Sequence, residues 1–281
     1  MKKITTLFLL TITIAAANAQ SLGKYLEDKT GMVSYTYRKS FQKDVAATLD
    51  TIKSLGITNI EFSNLFGKTA VDLRKLLDER GMRCTSFGVG YPDIINKIEE
   101  VASNAKALGA TYVRVAWIPD GSDGLTLEEA KKTVADFNAA GKTLKENGLN
   151  FCYHNHGFEF VQHEKGTLFD YIAENTNPEY VNFELDILWA QFPGVDPVAL
   201  LKKYPKRFKL MHVKDLRKGI KGNFSGKTDV NNDVAVGTGQ INIPAVMKEA
   251  RKAGVVYFYI EDESDFVKTQ VPQSLGYLKK L

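Results

Sequence analysis

Five glycines punctuate the chain in one recurring pattern, and this pattern limits the folds that the sequence can adopt. Gly56, Gly81, Gly109, Gly148 and Gly254 each end an amphipathic helical stretch and precede a short apolar or β-branched run. Glycine readily takes the left-handed conformation that closes many helices, and such an apolar run is typical of a buried parallel strand. The repeat therefore predicts helices that alternate with parallel strands.

Eight strands can be read from the sequence in this way. They are predicted at residues 32–37, 59–63, 83–87, 112–117, 150–155, 181–186, 209–214 and 256–261. Eight parallel strands that alternate with helices can close into a barrel. The competing fold is an open doubly wound sheet, but no G-x-G-x-x-G sequence follows the first strand. We therefore predict an α/β fold with one domain, a (β/α)8 TIM barrel.

The first residues have the composition of an export signal. Two lysines precede an apolar stretch at 4–14, and an A-x-A sequence at 17–19 is typical of a signal peptidase site. The apolar stretch is too short to cross a bilayer. We expect residues 1–19 to be a signal peptide that is cleaved before Gln20. Residues 20–281 would then form a periplasmic or secreted barrel without membrane insertion.

The charge of the chain argues against partners that carry many negative charges. The sequence has 37 basic and 33 acidic residues and a formal net charge of +4, and the leader contains two of the lysines. Such a small excess gives no electrostatic basis for binding nucleic acid or an anionic membrane. The sequence leaves the oligomeric state open.

The two cysteines, Cys84 and Cys152, both lie within predicted strands. Two cysteines are too few for a disulfide framework, although export would permit a bridge. We expect two buried free thiols.

Polar side chains gather where the predicted strands end, and this face of a TIM barrel carries its chemistry. The residues are Glu61 near the end of strand two, His154 at the end of strand five with His156 and Glu159 after it, Asp186 on strand six, His212 and Lys214 on strand seven, and Glu261 on strand eight. Imidazoles and carboxylates together suit a borderline divalent cation. Since the ends of parallel strands meet, we interpret these side chains as one shared site rather than separate helix caps.

Arg114 and Glu184 have a structural interpretation instead. Side chains alternate along a strand, so Glu184 faces inward one layer below Asp186, where an unpaired carboxylate is costly. Arg114 on strand four can reach that layer, because alternate strands contribute to one barrel layer. We predict a structural ion pair between the two.

The strand ends resemble those of the xylose isomerase-like TIM barrels, a superfamily of sugar isomerases and epimerases that also includes inosose dehydratase and endonuclease IV. The resemblance extends over essentially the whole chain after the leader. The segments that carry it are Tyr153-His154-Asn155-His156, Leu185-Asp186 with Trp189, Met211-His212-Val213-Lys214-Asp215 and Ile260-Glu261.

The resemblance implies a divalent metal bound by a carboxylate at strand five together with Asp186, His212 and Glu261. Strand five departs from the pattern, because His154 stands where many epimerases have glutamate. The nearest carboxylate is Glu159, which we expect to be the fourth ligand, while His154 and the nearby His156 line the pocket or join the metal. The expected ion is manganese, with zinc, cobalt or magnesium as alternatives.

The implied chemistry is proton removal next to a carbonyl, with a bound metal stabilising the enediolate. Glu261 or Glu159 is expected to be the base, and His154, His156 or Lys214 to return the proton or hold the oxyanion. Reprotonation would make the protein an isomerase or epimerase, which is the main expectation. Loss of a β-substituent would instead make it a lyase or dehydratase. Export favours a non-phosphorylated keto-sugar or glycoside.

Carbohydrate contacts are expected from Glu61, Trp117, Phe158 and Trp189, where the three aromatic rings could stack on a sugar. Two rival classes remain. A DNA-repair endonuclease of the same superfamily would need a richer metal cluster and a basic face. A non-catalytic carbohydrate-binding barrel would keep the pocket without using its metal ligands.

Overall fold

The computed structural model describes residues 21–119 and 124–281, so the expected signal peptide at 1–19 lies outside the described residues. In the described part of the chain, parallel strands β1 to β8 close into a barrel in which each strand pairs with the next and β8 pairs with β1. They span Thr30–Val33, Asn59–Phe62, Arg83–Val89, Tyr112–Val115, Asn150–His154, Val181–Asp186, Phe208–Val213 and Tyr257–Ile260. The predicted TIM barrel is confirmed.

In the described residues, helices α1 to α12 surround the barrel or cover its loops. They span Leu22–Glu27, Arg38–Phe41, Val45–Ser54, Ala70–Asp78, Tyr91–Asn96, Ile98–Leu108, Leu127–Glu146, Leu168–Asn175, Ile187–Gln191, Pro197–Lys203, Ile243–Ala253 and Val267–Leu278. The five glycines of the repeat have φ values from 60° to 85°, as expected of residues that close helices. None of these helices is long and apolar enough to cross a membrane.

The first strand differs from its prediction. It was expected at 32–37, but β1 ends at Val33 and residues Ser34–Tyr37 form a turn of 3-10 helix. The Ser34 hydroxyl accepts a hydrogen bond from the Ser63 amide at 2.8 Å. This contact between neighbouring strand ends accompanies the turn, which carries Tyr35 onto the rim of the barrel.

Two separate apolar regions support the barrel. A large core fills the space between strands and helices. A smaller group closes the barrel interior and consists of Val33, Tyr112, Cys152, Leu210 and Tyr259. Both cysteines are buried and free, as predicted.

Two opposite strands carry a register shift at a buried glutamate. The pairing of β2 with β3 shifts between Ile60 and Glu61, and the pairing of β6 with β7 shifts between Phe183 and Glu184. Bulges of this kind re-aim a side chain without ending the strand. Both carboxylates are fully buried below the carboxyl end of the barrel.

The loop between β7 and α11 is tied at its two ends by Asp215. This carboxylate accepts hydrogen bonds from the amide of Leu216 at 2.9 Å and from those of Gly237, Gly239 and Ile241 at 2.9, 2.8 and 3.1 Å. Backbone donors from both ends of the loop therefore meet at one side chain.

Candidate metal centre and substrate pocket

Asp186, His212 and Glu261 converge at the carboxyl end of the barrel. His212 Nδ1 lies 2.9 Å from Glu261 Oε2 and 3.9 Å from Asp186 Oδ2. One ligand atom from each of the three residues lies within 4.8 Å of the other two. The structure therefore brings together the three residues that the resemblance implied as metal ligands.

His154 at the end of β5 is the fourth side chain of this cluster. Its Nε2 lies 3.7 Å from Asp186 Oδ2, and its ring centre is 4.5 Å from that of His212. The side chain is buried. Strand five thus contributes an imidazole to the site, which was one of the alternatives expected for His154.

Glu159 was expected to be a metal ligand and a candidate base, but its carboxylate is directed into its own loop. Oε1 accepts hydrogen bonds from the Tyr153 hydroxyl at 2.5 Å and from the His156 amide at 2.9 Å, and Oε2 accepts one from the Gly157 amide at 2.6 Å. Two groups of side chains in the described residues could hold a metal ion, and Glu159 belongs to neither: Asp186 with His212 and Glu261, and His154 with Glu184 and His212. We therefore replace Glu159 by His154 in the candidate ligand set, because the loop geometry turns the carboxylate away.

The four side chains fit a divalent cation. Asp186 Oδ1 accepts a hydrogen bond from the Trp189 amide at 2.9 Å, but Oδ2 is buried without a hydrogen-bond partner among the described residues. Burial raises the pKa of this carboxyl to about 7. An unsatisfied buried carboxylate oxygen is costly, and a cation beside it would remove that cost. Two imidazoles with two carboxylates suit manganese, zinc or cobalt.

Beneath the cluster, each imidazole is bound through its other nitrogen to a buried glutamate. His154 Nδ1 lies 3.1 Å from Glu184 Oε2, and His212 Nε2 lies 2.8 Å from Glu61 Oε1. Carboxylates in this position fix the orientation and the protonated nitrogen of metal-binding histidines. The arrangement leaves His154 Nε2 and His212 Nδ1 directed toward Asp186.

Arg114 lies between these two glutamates. The predicted pair with Glu184 is present, with Nε 3.3 Å from its Oε2, but Nη2 is closer to Glu61 Oε1, at 2.7 Å. Burial alone would raise the pKa of Glu61, whereas Arg114 and His212 lower it to about 2. The expected role of Glu61 in substrate binding is therefore corrected, because this carboxylate is fully buried and engaged by Arg114 and His212.

Lys214 was a candidate for proton return, but its ammonium group is buried among carboxylates. Nζ lies 2.6 Å from Glu263 Oε1, 3.2 Å from Glu261 Oε2 and 3.3 Å from Asp233 Oδ2. Burial opposes the charged form, but these carboxylates raise the pKa of Lys214 well above its usual range. Lys214 therefore remains protonated and positions Glu261 and Glu263.

A cavity of about 720 Å³ opens above the cluster and contains two of the four expected carbohydrate contacts and three of the expected catalytic residues. His154, His156, Trp117, Trp189 and Glu261 line it. Burial lowers the pKa of His156 to about 3, so its ring is neutral, and its Nδ1 has no hydrogen-bond partner in the described part of the chain.

Phe158 was expected to contact carbohydrate, but it is fully buried and does not line the cavity. Its ring centre lies 4.9 Å from that of Trp117. Phe158 therefore supports the Trp117 indole from behind rather than contacting a ligand.

Several residues that line the cavity were not predicted from the sequence. Tyr35, Ser63, Tyr91 and Glu263 line the cavity, and each lies in or directly after the loop that follows a barrel strand. Their position a few residues beyond a strand end was the available signal. Tyr35 was hidden because the first strand was predicted to run through it.

Comparisons with known proteins agree with this architecture. A family description for the xylose isomerase-like TIM barrel matches residues 49–281. An inosose dehydratase of Bacillus anthracis is 27% identical over 184 residues, which are 59% of this chain and 61% of that protein. The match therefore spans about three fifths of the length of that relative.

Two solved structures share the fold. A sugar phosphate isomerase/epimerase from Parabacteroides distasonis superimposes with a TM-score of 0.72 at 24% identity, covering 90% of this chain and 96% of that one. The IolI protein, whose crystal structure has a bound zinc atom, gives a TM-score of 0.69 at 16% identity, with coverage of 90% and 95%.

Proposed function

The chain belongs to the xylose isomerase-like TIM barrel family, and from this we propose that it is a metal-dependent lyase. In the proposed reaction, a proton is removed next to the carbonyl of a non-phosphorylated keto-sugar, a carbon–carbon double bond forms, and the β-oxygen substituent takes up a proton and leaves as water or an alcohol. The similarity to an inosose dehydratase favours this reaction over the isomerisation that was our main expectation.

The observation that carries the proposal is the one-sided placement of the carboxylates. Among the described residues that line the cavity, Glu261 and Glu263 are the carboxylates, and both follow β8. The side at the end of β5 presents the imidazoles of His154 and His156. Elimination needs one base and a proton donor for the departing oxygen, and Glu261 and the His156 ring offer one group for each role.

The proposed ligands are His154, Asp186, His212 and Glu261, and manganese is the proposed ion. A divalent cation bound there would supply Lewis acidity that stabilises an enediolate.

The base in this proposal is Glu261. Its contacts with His212 and Lys214 both use Oε2, which leaves Oε1 to accept the proton. Lys214 and His212 lower the pKa of Glu261 although burial opposes this, so the carboxylate is ionised at neutral pH. The neutral His156 ring offers Nδ1 as a hydrogen-bond partner for a substrate hydroxyl.

The charges around the pocket support a substrate without phosphate. Arg114 lines the cavity but is occupied by Glu61 and Glu184, and Lys214 is occupied by three carboxylates. Phosphate is usually bound by a basic side chain or by free backbone amides. The described lining offers no unpaired basic side chain, and Glu261 and Glu263 would repel a dianion. Export of the chain after cleavage before Gln20 remains part of the proposal.

Isomerisation or epimerisation is the second candidate, favoured by the similarity of fold to the sugar phosphate isomerase/epimerase. Both reactions begin with the same proton removal, and they differ in the fate of the enediolate. A single experiment can therefore separate them.

The test is incubation of the manganese-loaded protein with keto-sugars and keto-glycosides in D₂O. We expect deuterium next to the carbonyl of the recovered substrate together with an unsaturated product, and we expect Glu261→Gln to abolish both. Glu179→Gln, an exposed glutamate between α8 and β6, is the matched control and should leave the rate unchanged. Deuterium incorporation with only isomeric products would favour the second candidate. Absence of both exchange and unsaturated product with every keto-sugar would refute the enolisation mechanism.

A further inference from the structure

We propose that the mouth of the cavity binds an uncharged ring attached to the reacting sugar, so that the substrate is a keto-glycoside with a ring as its aglycone. This inference rests on the proposed function and concerns the part of the substrate that lies outside the metal centre. It depends on where the exposed aromatic side chains lie.

These side chains are concentrated at one end of the barrel. In residues 21–119 and 124–281, four aromatic side chains are exposed, namely Tyr35 at 40%, Trp117 at 37%, Phe224 at 44% and Phe266 at 54%. They follow β1, β4, β7 and β8, and so all lie in loops at the carboxyl ends of strands. Single exposed aromatic residues need no explanation, but all four lie at the end of the barrel that carries the pocket, and two of them, Tyr35 and Trp117, line it.

Trp117 and Tyr35 line the cavity and are held in place. The Trp117 ring centre lies 4.8 Å from that of His156, and its other neighbour is the buried Phe158. The Arg38 guanidinium lies 4.5 Å from the centre of the Tyr35 ring and donates hydrogen bonds to the carbonyls of Tyr35 and Glu263. Rings fixed in this way lose little conformational entropy when a ligand stacks on them.

The size of the cavity supports a ligand of two rings. Its volume of about 720 Å³ lies well inside the range of about 300–1,000 Å³ that holds drug-sized ligands. One sugar ring above Asp186, His212 and Glu261 would occupy only the inner part. Val89, Ile118 and Pro119 also line the cavity and add apolar surface, which suits the faces of a second ring better than a phosphate.

Binding of unreactive glycosides to the manganese-loaded protein tests this inference separately from catalysis. By calorimetric titration, we expect phenyl β-glucoside to bind about ten-fold more tightly than methyl β-glucoside, the order expected for covering one ring face. Trp117→Ala should remove most of this preference, and Trp117→Phe should restore part of it. Phe266→Ala is the matched control, because Phe266 is exposed at the same end of the barrel but does not line the cavity.

The same preference should be seen in turnover of the phenyl and methyl keto-glucosides. Equal binding of the two unreactive glycosides, or an unchanged preference in Trp117→Ala, would overturn the inference while leaving the lyase proposal intact. Tighter binding of glucose 6-phosphate than of phenyl glucoside would also overturn it. Ring-dependent binding without any deuterium exchange would support the ring site and count against the proposed reaction alone.

Discussion

His212 Nε2 lies 2.8 Å from Glu61 Oε1, and this contact joins β7 to β2 across the interior of the barrel. The contact engages Nε2, the ring nitrogen that faces the barrel interior, and leaves Nδ1 directed toward Asp186 and Glu261. The proposed metal centre therefore depends on a glutamate that does not line the cavity. The equivalent contact between His154 and Glu184 gives the other imidazole the same support.

Removing two proposed ligands should abolish metal binding. In the Asp186→Asn, His212→Ala double variant, we expect metal content after dialysis to fall from equimolar to background, measured by plasma mass spectrometry. Both changes take away donor atoms that the cation would need. His163→Ala, in the hairpin of Gln162–His163 and Gly166–Thr167, should retain full metal content. Equimolar metal in the double variant would show that the cation binds elsewhere.

Glu61→Gln should weaken the metal site without touching a ligand. An amide cannot serve both Arg114 and His212 as the carboxylate does, so the His212 ring loses its fixed orientation. We expect manganese affinity to fall by roughly ten-fold to one hundred-fold, measured by competition with a fluorescent chelator. Glu27→Gln, at the exposed end of α1, should leave the affinity unchanged. A folded Glu61→Gln protein with wild-type affinity would assign Glu61 a purely structural role.

Glu159→Gln should lower stability but leave metal affinity unchanged. The substitution disturbs the hydrogen bonds from Tyr153, His156 and Gly157, at a cost of about 1–3 kcal/mol. We expect thermal unfolding of the metal-free protein to occur a few degrees lower, with Glu164→Gln in the same loop as the neutral control. Loss of manganese binding in Glu159→Gln would restore this residue to the ligand set.

The two cysteines should be unreactive in the native protein. Both thiols are buried, and burial raises the pKa of Cys84 to about 12, so little thiolate is present at pH 8. We expect no reaction with a disulfide reagent such as DTNB until denaturant is added, after which two thiols per chain should be released. A titration of zero after denaturation would reveal a disulfide instead.

The features that follow from the periodicity of the sequence could be predicted. The alternation of helices and strands located the barrel, and the strand ends located Asp186, His212 and Glu261, because parallel strands end at one face. Sequence order alone could not show that a β-bulge turns Glu61 into the layer beneath the metal cluster. It also could not show that hydrogen bonds within one short loop direct Glu159 away from it.

Asp215 has a consequence for how this barrel can change over evolutionary time. Since its carboxylate gathers amides from both ends of the β7 loop, the loop is closed at its base whatever lies between. Lengthening such a closed loop costs little, about 0.6 kcal/mol for each doubling of its length. The residues between Arg217 and Val230, which include Gly226 at the cavity wall, can therefore be exchanged without removing Asp233, which contacts Lys214. Substrate range can then diverge while the metal centre and barrel stay unaltered.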